Sequence, residues 1–155
     1  NIHHSELETP GLVTSIAAAR ERLPQLGLTL EVHERALADL AAVERLRAQL
    51  VHLGVGLAYD DFGAGQARLN ELGDVPAHFV KFDMGLIRGI HTASERKRRV
   101  VGDLVRLVLD LGSVALAEGV EFEEEAEVCR EMGFQLIQGY LTGKPVPVSA
   151  WPGHA

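Results

Sequence analysis

The sequence predicts an α/β fold on a parallel sheet, in the form of an incomplete (β/α)8 barrel of the TIM type. Three observations carry this. Short apolar, β-branched segments alternate with longer segments of helical period, the alternation that produces parallel sheets. The polar residues Glu31, Asp60, Asp61, Lys81, Asp83, Glu118 and Gln138 fall at or just past the C-terminal ends of predicted strands, where α/β folds carry their sites. They come from five successive strands, which suits a ring better than the single switch point of an open sheet. Eight βα units make roughly 250 residues, so 155 residues have room for only part of a barrel. A complete five-stranded flavodoxin-like domain is the competing arrangement, and length alone favours it.

The elements follow in order. Thr9-Pro10 opens a helix to about Leu23, with Pro in its favoured first position. Leu28 to Val32 is a strand after Gly27. Leu37, Leu40, Val43, Leu46, Leu50 and Leu53 recur at steps of three and four, so 36–53 is a helix, with Gly54 placed to end it. Val55 to Tyr59 is the next strand and runs into the glycine-rich loop Asp60-Asp61-Phe62-Gly63-Ala64-Gly65. Phe79 to Asp83 is a strand. Ser94 caps a long helix with Val100, Val101, Leu104, Val105, Val108 and Leu111 on its apolar face, ending at Gly112. Val114 to Ala117 is a strand leading into Glu118-Gly119-Val120-Glu121. A helix from about Glu123 to Met132 and a last strand, Phe134 to Gln138, complete the series.

Composition narrows the function classes. Fifteen Lys and Arg against 22 Asp and Glu give a net charge of −7, which argues against a DNA or RNA polymer as ligand. It leaves room for a polyanionic substrate if carboxylates hold bridging metal ions. Cys129 is the single cysteine, so no intrachain disulfide forms. There is no apolar run of the roughly 18 residues that a membrane span needs. Asn1-Ile2-His3-His4 shows neither a signal-peptide pattern nor an initiator Met, and the expectation is a piece of a longer chain.

The adjacent Asp60-Asp61 is the sharpest local feature. Neighbouring side chains on a strand point to opposite faces. Two consecutive acids therefore converge only where the strand breaks, and Gly63 and Gly65 permit a break. Converging carboxylates repel unless a cation neutralises them, which suits a divalent metal; a solvated turn with helix-capping acids fits the spacing equally well. Glu31 is a strand-end oxygen ligand or an acid facing water. Glu118 and Glu121 are a base or ligand, or the start of an acidic helix favoured by its dipole. Lys81 lies in the apolar strand after Phe79-Val80, where burial is expensive without a partner, so a Lys set among carboxylates is the stronger reading. Gln138-Gly139-Tyr140 binds a base edge or merely turns the chain. The basic run Arg96 to Arg99 reads as a solvated helix start, and Cys129 as packing.

As a set, Leu30-Glu31-Val32-His33-Glu34, Asp60-Asp61-Phe62-Gly63, Lys81-Phe82-Asp83, Ala117-Glu118-Gly119-Val120-Glu121, and Gln138-Gly139-Tyr140 followed by Gly143-Lys144-Pro145, resemble the C-terminal part of EAL domains. These are bacterial phosphodiesterases that hydrolyse cyclic di-GMP. Asn1-Ile2 with Pro10 resembles the family's Asn-containing strand and following helix, so the resemblance covers nearly the whole chain as one domain, 1–155.

The resemblance implies a modified (β/α)8 barrel with two Mg²⁺ or Mn²⁺ ions at its mouth. It implies Asn1, Glu31 and Asp60 as ligands of one ion, with Asp60 bridging to a second that Asp61 also holds. Lys81 would orient and polarise the attacking water, and Glu118 would be the general base. Glu34 would brace the loop after Asp61, with Asp83, Glu121 and Gln138 supporting site or substrate. The product would be linear pGpG. Two departures stand out. The signature Glu-x-Leu, which supplies another metal-ligating Glu, would lie upstream of Asn1. The loop after Asp61 differs from the family's usual Thr-Gly-Tyr-Ser-Ser at Ala64, Gln66, Ala67 and Arg68.

The implied partners are cyclic di-GMP, a second copy of the chain through the barrel, and upstream sensor or regulatory domains. The implied setting is the bacterial cytoplasm, alone or within a membrane-anchored protein. The alternative is a catalytically weak EAL-type receptor or dimerising module, which the loop departures favour. A response-regulator receiver also uses paired acids and a Lys, but its pair follows the first strand, and here the pair comes late. Three expectations follow. Glu31, Asp60 and Asp61 converge. Lys81 points into the same mouth and stays charged. Residues 1–155 alone, with sheet edges near Asn1 and at 134–138, bind metal weakly and turn over little.

Overall fold

Each strand pairs in parallel with the next one in sequence: β1 (Thr29–His33), β2 (Gly56–Phe62), β3 (Phe79–Phe82), β4 (Val114–Glu118) and β5 (Leu136–Gln138). The structure, a computed structural model, describes residues 1–3, 6–33, 37–64 and 69–147. Because the order β1-β2-β3-β4-β5 never reverses, there is no switch point of the flavodoxin kind. Right-handed crossovers that always step the same way keep their helices on one face, as in a barrel.

Burial follows that asymmetry. Val32, Leu57, Tyr59, Val80, Phe82, Ala115 and Ala117 alternate along the strands and have no accessible surface. Helices α2 (Leu40–Leu53) and α5 (Glu95–Asp110) cover the sheet from that side with Val43, Leu46, Leu50, Val101, Val105 and Val108. Three aromatic rings thicken an otherwise aliphatic core: Phe82 meets Phe62 and Phe134 edge-on, at centroid distances of 5.2 and 4.9 Å. Cys129, on α6 (Glu123–Met132), is buried in this core, and burial lifts its thiol to about 11.

Element boundaries shift from expectation for local reasons. Helix α1 (Leu12–Arg22) starts after Pro10, because Gly11 holds φ 91° and cannot be helical. Helix α2 starts at Leu40 because Asp39 caps it, accepting from Ala42 N–H at 3.0 Å. Ser94 caps α5 as expected, accepting from Lys97 N–H. The last strand is only three residues, since Gly133 and Phe134 are used to close α6. Two short helices, α3 (Leu69–Asp74) and α4 (Met84–Ile87), have no period long enough to read from sequence.

The described strands form an open arc. At one edge Ile2 bridges to Val32 and donates its N–H to the Glu31 carbonyl at 2.9 Å. At the other edge β5 is paired only with β4 among the described residues, and Leu136 is exposed. Among the described residues no helix is long and apolar enough to cross a membrane.

Candidate metal and active site

The strand registers decide which side chains meet. Glu31 pairs with Ala58, Ala58 with Phe79, and Phe79 with Val114. Residues in one row share a face, and steps of two along a strand keep it. Asp60 lies two residues beyond Ala58, Lys81 two beyond Phe79, and Glu118 four beyond Val114. Gln138 pairs with Glu118. Glu31, Asp60, Lys81, Glu118 and Gln138 therefore all belong to the face away from the helices.

Lys81 is the centre of this set. Its Nζ lies 2.8 Å from Asp60 Oδ1, 2.8 Å from Glu118 Oε1 and 3.0 Å from Glu31 Oε1. The residue is only 5% exposed, so its charge depends on those partners. Burial works against the ammonium, but hydrogen bonds to Asp60, Glu118 and Glu31 outweigh it and hold its pKa above the ordinary lysine value. Burial also raises the Glu118 carboxyl. Lys81 pulls it back, Asp60 and Asp61 push it up again, and the net value stays above that of an ordinary glutamate.

Asp61 joins the site by a different route. The next residue after Asp60 on a regular strand would face the helices. Instead, the β2–β3 register shifts between Tyr59 and Phe62, and Asp61 takes φ 59°, the one positive φ outside glycine among the described residues. Aspartate tolerates that left-handed conformation better than most residues. The break thus lies within β2, earlier than the glycine-rich loop suggested. With it, one oxygen each of Asp60, Asp61 and Glu118 lies within 4.8 Å of the other two. His33 Nε2 meets Asp61 Oδ2 at 3.1 Å.

These are hard oxygen donors of the kind that Mg²⁺, Mn²⁺ and Ca²⁺ take. Ligand distances of about 2.0 to 2.6 Å allow oxygens across one ion to lie up to about 5.2 Å apart. The spacing of Asp60, Asp61 and Glu118 fits that limit.

The remaining sequence candidates fall in several places. Glu31 reaches the acid pair through Lys81. Asn1 is exposed and sits beside β1, next to Ile2. Asp83 caps α4, accepting from Gly85 N–H at 2.8 Å. Glu121 pairs with Arg88 at 2.6 Å, and together with Glu118, Gln138 and Tyr140 they line a hollow of about 220 Å³ beside the acids. Glu34 lies outside the described residues, as do loop positions 65–68.

Sequence reasoning passed over His33, Arg88 and Glu125. His33 had a signal, since it lies two residues beyond Glu31 and so shares its face. Arg88 and Glu125 act across 33 and 36 residues of chain, and nothing local marks them.

Comparison with known proteins agrees with this geometry. The family model for the EAL domain matches residues 1–145. Cyclic di-GMP phosphodiesterase RocR of Pseudomonas aeruginosa is 34% identical over 151 residues, covering 95% of this chain and 38% of RocR. The crystal structure of the EAL domain of Mycobacterium smegmatis DcpA superposes with a TM-score of 0.85 at 28% identity, covering 94% of this chain and 66% of that one. Klebsiella pneumoniae BlrP1, solved as a calcium and cyclic di-GMP complex, gives a TM-score of 0.80 at 32% identity, over 91% of this chain and 36% of that one. The chain thus spans less than two thirds of the length of RocR. EAL domains are TIM-barrel-like, and the five-stranded arc is an incomplete barrel of that kind. With the family's motifs at the strand ends and its model matching nearly the full length, the chain belongs to the EAL domain family.

Proposed function

We propose that this chain carries the reaction centre of a metal-dependent phosphodiesterase that hydrolyses cyclic di-GMP to linear pGpG. The observation that carries the reading is Lys81, buried and held by Glu31, Asp60 and Glu118 beside Asp61. Structural proteins rarely bury one ammonium among four acids, because desolvation makes such a cluster costly.

In this reading Asn1, Glu31, Asp60 and Asp61 would hold two Mg²⁺ or Mn²⁺ ions. Two such ions, when bound, lower the pKa of a water, screen the phosphodiester and steady the leaving oxygen. The protein's own groups do the rest. Lys81 keeps its protons, which face Glu31, Asp60 and Glu118, and its charge would orient and polarise the attacking water. Glu118, whose carboxyl burial raises above the ordinary glutamate value, would take the proton from the attacking water. Its pairing with Lys81 fixes the carboxylate's direction. His33 orients Asp61, and Glu34 braces the following loop. Glu121, Gln138 and Asp83 support the site and the substrate.

Residues 1–155 form part of one EAL-type barrel in this proposal. The protein works in the bacterial cytoplasm as a homodimer, alongside upstream sensor or regulatory domains. One observation favours a second reading, a nucleotide-binding receptor of low turnover: the loop after Asp61 departs from the family at Ala64, Gln66, Ala67 and Arg68. The test is hydrolysis of cyclic di-GMP by the full-length protein with Mg²⁺ or Mn²⁺, beside its Asp60→Asn variant. Metal-dependent release of pGpG that the variant lacks supports the enzyme. Tight binding of the nucleotide without release supports the receptor.

A further inference from the structure

Glu125 stands on the first turn of α6, is 2% exposed and takes no part in the chemistry proposed above. A buried carboxylate is costly unless donors answer its oxygens. Here the donors are all backbone. Oε2 accepts from Glu121 N–H at 2.9 Å and Phe122 N–H at 3.3 Å, and Oε1 accepts from Gly89 N–H at 2.8 Å. Burial alone would raise its pKa, but these donors, with His91 close by, hold it below the ordinary glutamate value.

The two oxygens do different work. Oε2 closes the start of α6, where the N-cap residue Phe122 has no side-chain oxygen to offer. Oε1 reaches across 36 residues to the turn after α4. Arg98 braces that same turn by donating to the carbonyls of Ile90 and His91. The segment from Glu118 to Phe122 is thereby clamped. Gly119 presses on Met84 so closely that an added Cβ would lie 2.6 Å from the Met84 Cβ. Val120 N–H donates to the Gln138 carbonyl at 3.1 Å.

We infer that Glu125 is a positioning residue. It locks the β4–α6 segment against the turn that follows α4, and so holds Glu118 in register with Lys81 and Asp60. Its kinetic consequence rests on the phosphodiesterase reading; the clamp itself rests on geometry alone.

The experiment compares the full-length protein with Glu125→Gln. A Gln retains one acceptor oxygen. That oxygen stays with the two donors of Glu121 and Phe122, and the amide NH₂ then faces the Gly89 N–H, donor against donor. The cap survives and the cross-tie is lost. Hydrogen exchange at Gly89 should quicken at least about tenfold, and kcat should fall about tenfold with KM within about twofold. Glu125→Asp keeps both oxygens and the charge but is one methylene short of spanning both segments. It should show the same two losses, and it serves as the second variant if Glu125→Gln does not fold. Unchanged exchange at Gly89 in a folded variant overturns the clamp. Faster exchange with unchanged kcat overturns the positioning role. If the unaltered protein does not hydrolyse cyclic di-GMP, the phosphodiesterase reading fails by itself, and Gly89 exchange still decides the clamp.

Discussion

Lys81→Ala should destabilise the metal-free protein and strengthen its grip on metal while turnover collapses. The ammonium sits 2.8 to 3.0 Å from three carboxylates whose side chains are 31% exposed at Glu31, 20% at Asp60 and 16% at Glu118. Removing it leaves those three acids without their shared counter-charge. Breaking a buried pair from one side costs about 3–5 kcal/mol. Partial hydration of the carboxylates argues for the lower end, about 3 kcal/mol. For a domain of this size each kcal/mol moves Tm by about 2–4 °C, so the fall should be about 6–12 °C. The raised pKa of Lys81 fixes the sign of any pH effect. Its contribution is fully present below the unfolded value of about 10.4 and is lost as pH rises through the higher folded value, so the gap should hold steady from about pH 7 to 9.

Metal supplies the diagnostic. In the proposed site Lys81 would share Asp60 with a bound cation, so its removal would free that carboxylate and lower the local positive charge. Mn²⁺ should therefore bind Lys81→Ala more tightly than the unaltered protein and recover more Tm, by RT ln(1 + [L]/Kd). Turnover should nonetheless fall by at least about a hundredfold, because the proposed work of Lys81 lies in the reaction step. Thermal melts with and without metal, calorimetric titration and an assay of pGpG release test all three. An unshifted metal-free Tm together with retained turnover would refute the reasoning.

Asp60→Asn should weaken Mn²⁺ binding at least about tenfold in calorimetry, since the proposed ligand set loses one charged oxygen donor; equal affinity removes Asp60 from that set. Glu118→Gln should gain stability relative to the unaltered protein as pH rises in the presence of a chelator. The raised folded pKa of Glu118 means its favourable contribution is present below the unfolded value of about 4.3 and lost above the folded one, and urea denaturation across pH 4 to 8 reads the sign. Gly139→Ala should cost about 1–3 kcal/mol by the same method, because an added Cβ would lie 2.2 to 2.8 Å from backbone atoms of Val120. Residues 1–155 expressed alone should hydrolyse cyclic di-GMP far more slowly than the full-length protein, since β5 leaves one sheet edge unpaired among the described residues; comparable rates would count against it.

Much of the fold was legible because strand and helix periods are local. Val32, Leu57, Val80 and Ala115 declare a face buried under helices, and the leucines of α2 declare the helix that covers it. Strand order was not legible in the same way. A flavodoxin-like sheet and a barrel share the same run of elements, and the pairing of β3 with β2 rather than with β1 separates them. Family resemblance resolved from motifs what periodicity left open. Short helices such as α4 escape because four residues carry no period, although Asp83 offers a cap, accepting from Gly85 N–H.

The candidate site divides along the same line. Glu31, Lys81 and Glu118 could be placed on one face from strand parity alone, once each strand was located. Asp61 could not, because parity sends it to the wrong side. Its arrival beside Asp60 depends on a register shift against β3 and on a left-handed backbone at Asp61 itself. That conformation is unfavourable for a residue with a side chain, and such strain persists only where the surroundings over-determine it. Here the surroundings are identifiable. Phe62, the next residue, is fully buried against Phe82, and the Phe62 carbonyl accepts from Asp83 N–H at 3.1 Å, so the strand cannot relax forward. His33 holds the Asp61 carboxylate from β1. The left-handed backbone at Asp61 therefore brings two consecutive acids to one point, an outcome that regular strand geometry forbids and that would suit a divalent cation.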